Sequence, residues 1–166
     1  VASLKDMVHA DYKGRDIAGM TAGEQLEAIG RGMHELVDVQ YFTWNRSLLP
    51  LLKKEGIEVI SHHEQLDEKQ AAFVDDYFET NVYPVVTPMA VDSSRPFPLV
   101  RNKTLNIAAL VQKKDEKADM EFAMVQVPCV LPRIVELPAA GDGIRRVILL
   151  EEIMERNMKQ LFLNYT

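Results

Sequence analysis

Residues 87–106 read TPMAVDSSRPFPLVRNKTLN, and this run divides the chain into two regimes of hydrophobic periodicity. It holds Pro88, Pro96 and Pro98, the cations Arg95, Arg101 and Lys103, and the amides Asn102 and Asn106. Each proline fixes its own φ and removes a backbone donor. Each also pushes the preceding residue toward extended geometry. The run therefore reads as a stiff, mostly non-helical connection that carries positive charge.

Downstream of it the period is two. Leu105, Ile107, Ala109 and Val111 alternate with Asn106, Ala108, Leu110 and Gln112. The polar stretch KKDEKAD (113–119) turns the chain, and Phe122, Met124 and Gln126 then alternate with Ala123, Val125 and Val127. Two such segments around a short polar loop predict an antiparallel hairpin. Ile134–Leu137 and Arg145–Leu150 are further strand candidates, limited by Pro128, Pro132 and Pro138. Glu151–Phe162 returns to helical spacing through Ile153, Met154, Met158 and Leu161.

Upstream the period is three to four. VASLKDMVHA reads as the end of a helix, and Lys13–Met20 as a loop broken by Gly14 and Gly19. Thr21 with Glu24 is a capping-box pattern that opens a long helix. Its apolar residues, from Leu26 through Leu36, Tyr41 and Trp44 to Leu52, form one stripe expected to face a core. Phe42 falls off that stripe and is a candidate contact with another domain or subunit. Pro50 predicts a kink or a new short helix, and Gly56 its end. Ile57–Ile60 reads as a strand. Asp67 with Gln70 predicts a second capped helix, buried through Ala71, Val74, Tyr77 or Phe78, and Val82. The fold class is α+β: a helical segment over 1–55, then a mixed, largely antiparallel sheet with packed helices over 56–166.

Composition narrows the function. Among 166 residues 47% are apolar and 27% charged, so a core can be buried. A net charge of −6 argues against a general nucleic-acid binder. One cysteine, Cys129, excludes an intramolecular disulfide and a cysteine metal cluster. It reads as a buried, inert thiol. The lone cysteine and the lack of a visible signal or membrane-length apolar run fit a cytoplasmic setting. Peripheral membrane association of a parent protein stays open. The start at Val1 and the uncapped first helix predict a piece of a longer protein.

Few residues suggest chemistry. Adjacent His62 and His63 on an extended segment point to opposite faces, and a metal would need a third ligand; both read as surface histidines. His34 and Asp38 read as a surface pair. GDGIRR (141–146) matches no phosphate-loop pattern and reads as a turn. Arg133 has two readings, a pair with Glu136 or an interface. Tyr41 and Trp44 read as core. Asn102 and Asn106 read as satisfying turn backbone.

Five segments in order carry a resemblance: VASLKDMVHADY (1–12), LLPLLKKEGIEV (48–59), TPMAVDSSRPFPLVRNKTLNIA (87–108), VQVPCVLPRIVELP (125–138) and ILLEEIMERNMKQLF (148–162). Together they resemble the polyphosphate kinase family. The resemblance implies a parent enzyme with a helical N-terminal domain, a mixed head domain and two C-terminal catalytic domains. That enzyme would use ATP and Mg²⁺ to build inorganic polyphosphate through a phosphohistidine. No catalytic or metal residue of that chemistry maps onto this chain; His9, His34, His62 and His63 match no catalytic motif. The implied role of the piece is non-catalytic: docking onto its own catalytic domains and self-association in a homo-oligomer. Arg95, Arg101 and Lys103 would then face the catalytic domains or the polymer, because a polyanion needs cationic walls; solvated loop charges are the alternative. The rival reading of the whole is a free-standing interaction or regulatory module with a head-domain-like fold.

Overall fold

The computed structural model describes residues 1–91, 97–112 and 120–162. The chain forms two compact units, Val1–Leu51 and Leu52–Thr166.

The first unit is built around one long helix. Helix α1 spans Ala2–His9 and packs against α2, Ala22–Thr43. Between them Asp16 folds the loop on itself, its Oδ1 accepting from the amides of Ala18 (2.9 Å) and Met20 (2.8 Å). The capping box at α2 is formed as expected: Thr21 Oγ1 accepts from Glu24 N, and Glu24 Oε2 accepts from Thr21 N at 2.7 Å. Those bonds hold the Glu24 carboxyl below its ordinary pKa. Ahead of Pro50, which cannot donate a helical hydrogen bond, the helix loosens into a π-turn over Trp44–Leu48 and resumes as α3, Leu49–Lys54.

The expected burial of the α2 stripe is corrected. Among residues 1–51 only Ala22 is buried. Leu36 is 66% exposed, Tyr41 61% and Trp44 37%. The reason is geometric: α1 offers eight residues against twenty-two in α2, too few to cover the stripe. Phe42, read as off the stripe, is 65% exposed.

In the second unit Gly56 turns the chain out of α3 at φ +75°, a conformation open to glycine. Its amide bonds to Lys53 O and its carbonyl accepts from Arg145 N at 2.8 Å. Strand β1, Ile57–Ile60, follows. Helix α4, Glu68–Tyr77, starts at the expected box: Asp67 Oδ1 accepts from Gln70 N (2.8 Å), and Gln70 Oε1 accepts from Asp67 N (3.2 Å). Its buried edge is Gln70, Val74, Phe78 and Val82, a spacing of four continued through a π-turn over Phe78–Val82.

The expected single sheet is two three-stranded sheets within the same α+β class. In one, β1 pairs parallel with β6 (Arg145–Leu149), and β5 (Ile134–Glu136) pairs antiparallel with β6 on its other side. In the other, β4 (Glu121–Gln126) lies between β3 (Asn106–Val111) and β2 (Met89–Val91), all antiparallel. The predicted β3–β4 hairpin is present, with Ala109 opposite Ala123; its connecting stretch 113–119 lies outside the described residues. Strand β2 lies within the run read as a stiff, mostly non-helical connection. Pro88 sits just before the strand, where its missing donor is tolerated. Farther along, Phe97 stacks on Phe122 of β4 with ring centroids 5.4 Å apart.

The expected helix over 151–162 breaks in two. Asn157 turns its amide onto Ile153 O (3.0 Å) and Asp75 Oδ1 (3.3 Å), competing with the helical ladder. Helix α5, Leu150–Arg156, ends there and α6, Met158–Leu161, follows. Arg156 grips Asp75 of α4 with two bonds, 2.7 and 3.0 Å, and this holds the Asp75 carboxyl below the ordinary range.

One core joins both sheets with α4, α5 and α6. Val74, Phe78, Val82, Val125, Ile148, Leu150, Ile153 and Met154 are fully buried. Deleting a buried aromatic leaves a cavity as well as losing transfer energy. Phe78→Ala should therefore cost about 3–5 kcal/mol in urea unfolding, whereas exposed Phe42→Ala should change stability by no more than about 0.5 kcal/mol. Equal losses would contradict the burial described.

Candidate functional site

Lys103 of the 87–106 run and Arg133 line a cleft of about 330 Å³ in the second unit. Its floor is apolar, with Leu105, Val127, Pro128, Leu131 and Leu150. Its rim carries Lys103, Thr104, Gln126, Cys129 and Arg133. The local folding of NKTLN sets this rim. Thr104 Oγ1 donates to Arg101 O (2.8 Å), and Asn106 Nδ2 donates to Thr104 Oγ1 (3.0 Å). Val127 N then donates to Leu105 O (2.9 Å), extending the β3–β4 ladder to the cleft floor.

Lys103 sits at the mouth with φ +59°. A β-carbon in the left-handed region is held against a steric cost of order 1 kcal/mol. Such outliers persist where the surroundings impose them and cluster at functional sites. Lys103 and Arg101 are exposed, and neither makes an ion pair among the described residues. Arg95 lies outside the described residues. Arg133 is not paired with Glu136. It forks onto Glu151 of α5 with Nε at 3.1 Å and Nη2 at 2.6 Å from Oε1. Glu136 is instead held by Arg145, at 2.8 Å on each oxygen, which lowers its pKa. The cleft can thus offer a small anion an apolar floor and a cationic lip. A second cavity of about 340 Å³, lined by Glu58, Gln70 and Arg146, is less suited to anions. The cation of its described lining, Arg146, is already bound to Glu58 (2.9 Å) and Asp142 (2.7 Å).

Cys129 is exposed, against the expectation of a buried thiol. It lies in the turn after β4, at the cleft rim and outside any strand. His34 and Asp38 are both exposed on α2. His62 is exposed in extended geometry, while His63 begins a 3₁₀ turn over His63–Gln65 and is half-buried. The sequence reading missed the partners of His63. Glu152 and Glu155 of α5 bring ligand atoms within 4.8 Å of it and of each other. The visible signal was the i, i+3 spacing of two carboxylates on a helical segment, which places both on one face. Which face would meet His63 needed the tertiary fold.

An α+β module whose β1 returns to pair with β6, preceded by a helical unit, is the class of protein these elements define. Residues 1–60 match the family described as Polyphosphate kinase N-terminal domain, and residues 69–166 match Polyphosphate kinase middle domain. The chain belongs to the polyphosphate kinase family. It is 49% identical over its whole length to Polyphosphate kinase of Lactiplantibacillus plantarum, covering 23% of that protein. It is 40% identical over its whole length to Polyphosphate kinase of Halalkalibacterium halodurans, again covering 23%. The crystal structure of Polyphosphate Kinase from Porphyromonas Gingivalis superposes on 85% of the chain with a TM-score of 0.78 at 24% identity, over 22% of that structure. That likeness is one of fold. The chain spans about a quarter of the length of the curated relatives it matches.

The backbone at residue 103 supplies a test of the rim. Lys103→Gly removes the left-handed penalty and should raise stability or leave it unchanged, while β-branched Lys103→Val should lower it by at least about 1 kcal/mol. Denaturant midpoints for the two variants measure this; the opposite order would contradict the conformation.

Proposed function

We propose that this chain is a non-catalytic, scaffolding portion of an ATP–polyphosphate phosphotransferase. In this reading residues 1–55 close a helical N-terminal domain and 56–166 form the head. The parent moves the terminal phosphoryl group of ATP onto polyphosphate through a phosphohistidine, with Mg²⁺, on domains outside this chain. Family membership and the similarity to polyphosphate kinases support that activity. Among the described residues no helix is long and apolar enough to cross a membrane.

The observation that carries the scaffolding role is the exposed apolar face of α2. Leu36 and Tyr41 on the stripe, and Phe42 off it, leave water-exposed surface of a kind that marks interaction sites. Its occupants are the parent's own catalytic domains and a second copy of the enzyme. Arg95, Arg101 and Lys103 supply cationic surface toward the polymer, the charge complement of a chain of phosphates.

Two measurements on the parent enzyme test this. Leu36→Glu with Phe42→Glu should reduce its sedimentation coefficient and its polyphosphate synthesis without changing the circular dichroism; an unaltered assembly and rate would remove the docking role. Replacing Arg95, Arg101 and Lys103 by alanine should weaken polymer binding and flatten its salt dependence, by the logic of released counterions. An unchanged salt slope would assign those residues to solvent.

A further inference from the structure

We propose that His63, Glu152 and Glu155 form a binding site for one divalent transition-metal cation of the zinc class. The inference does not depend on the scaffolding role. One imidazole nitrogen and two carboxylates are a donor set that suits zinc and its neighbours, with the remaining position left to water.

The fold supplies the geometry from two elements that are far apart in sequence. The 3₁₀ turn is pinned to α5 because His63 N donates to Glu152 Oε2 at 3.1 Å. One turn along α5, Glu155 shares the face of Glu152. The three ligand atoms lie within 4.8 Å of one another. Tetrahedral ligands at zinc distances stand roughly 3.3 Å apart, so a modest closure completes the set. Glu155 is exposed and can make that movement, while Glu152 and His63 are half-buried and fixed.

The imidazole itself points to a ligand. His63 Nδ1 is shielded from solvent and has no hydrogen-bond partner. It stands 3.6 Å from Glu152 Oε2, beyond hydrogen-bonding range. A shielded nitrogen without a partner is costly. A cation held between the two atoms would give the nitrogen a partner. The other ring nitrogen is 3.5 Å from Glu64 Oε1, a third carboxylate beside the same imidazole.

The surrounding charge is one-sided. Glu152, Glu151 and Glu64 all act on Glu155 in the same sense, opposed by His63. Arg133 neutralises Glu151 from outside the cluster. Glu152 and Glu155 have no Lys or Arg ion-pair partner among the described residues. A dication would balance their two negative charges.

Titration of the chain with Co²⁺, followed by Zn²⁺ displacement and calorimetry, tests the site. The expected result is saturable binding at a single site, with the visible absorption of low-coordinate cobalt that zinc abolishes. Glu155→Gln, at an exposed position that leaves folding intact, should weaken binding by about tenfold or more, and His63→Gln should remove the cobalt band. His9→Gln, His34→Gln and Cys129→Ser should bind as the original chain does. No saturable binding, or binding that Glu155→Gln leaves unchanged, overturns the proposal. Loss of binding in one of the three controls overturns it as well.

Discussion

The parallel pairing of β1 with β6 is the constraint on which the second unit depends. It joins Ile57–Ile60 to Arg145–Ile148 across a loop in which Glu58 and Arg146 stand 88 positions apart. Closing a loop of that length costs about 4 kcal/mol in chain entropy beyond a constant. Hydrogen bonds of four-residue strands do not offset this alone, since each contributes only about 1 kcal/mol net. Burial decides the balance. Ile148, Leu150, Ile153 and Met154 are delivered to the core by β6 and the helix directly after it, and all are fully buried. Each is worth about 1.5–3 kcal/mol as an upper estimate. Arg146 adds an ion pair to Glu58 across the same strands, with both side chains largely covered.

Both candidate sites hang on this closure. Leu150 N donates to Arg133 O at 2.8 Å, so the turn that carries the cleft rim is tied to the end of β6. The same strand end launches α5, whose first residues are Leu150, Glu151 and Glu152. The chain therefore places Arg133 beside Glu151 on one side and Glu152 beside His63 on the other. The 3₁₀ turn bearing His63 follows β1 by two residues, so the strand pair brings residues 63 and 152 into register. Chemistry-bearing groups here are consequences of strand pairing rather than of local motif.

What was legible in the sequence follows the range of the interactions. Thr21–Glu24 and Asp67–Gln70 are caps whose partners stand three residues apart, and both are formed as read. The β3–β4 hairpin was legible because period-two alternation and a polar turn are local signals. The family was legible because several short segments recur in order. The exposed α2 stripe was not, because periodicity records that a face is apolar and not whether a partner covers it within the same chain. The break at Asn157 depends on Asp75, which lies 82 positions away. Strand β2 was hidden for a similar reason: three residues between prolines carry no period, and only β4 makes them a strand. Arg133 could not be assigned from spacing, since Glu136 on the neighbouring strand was claimed by Arg145. The partners of His63 were equally non-local, and half of that signal, the paired carboxylates of α5, lay in a segment read only as a helix.

Amide hydrogen exchange on the chain measures the central claim directly. If the β1–β6 pairing closes the second unit, the amides of Ile60 and Val147, which alternate into that ladder, should exchange only through global unfolding, with the same denaturant dependence as those of Val125 in β4 and Ile153 in α5. Exchange of β1 through a separate, lower-energy opening, while β4 and α5 stay protected, would contradict it.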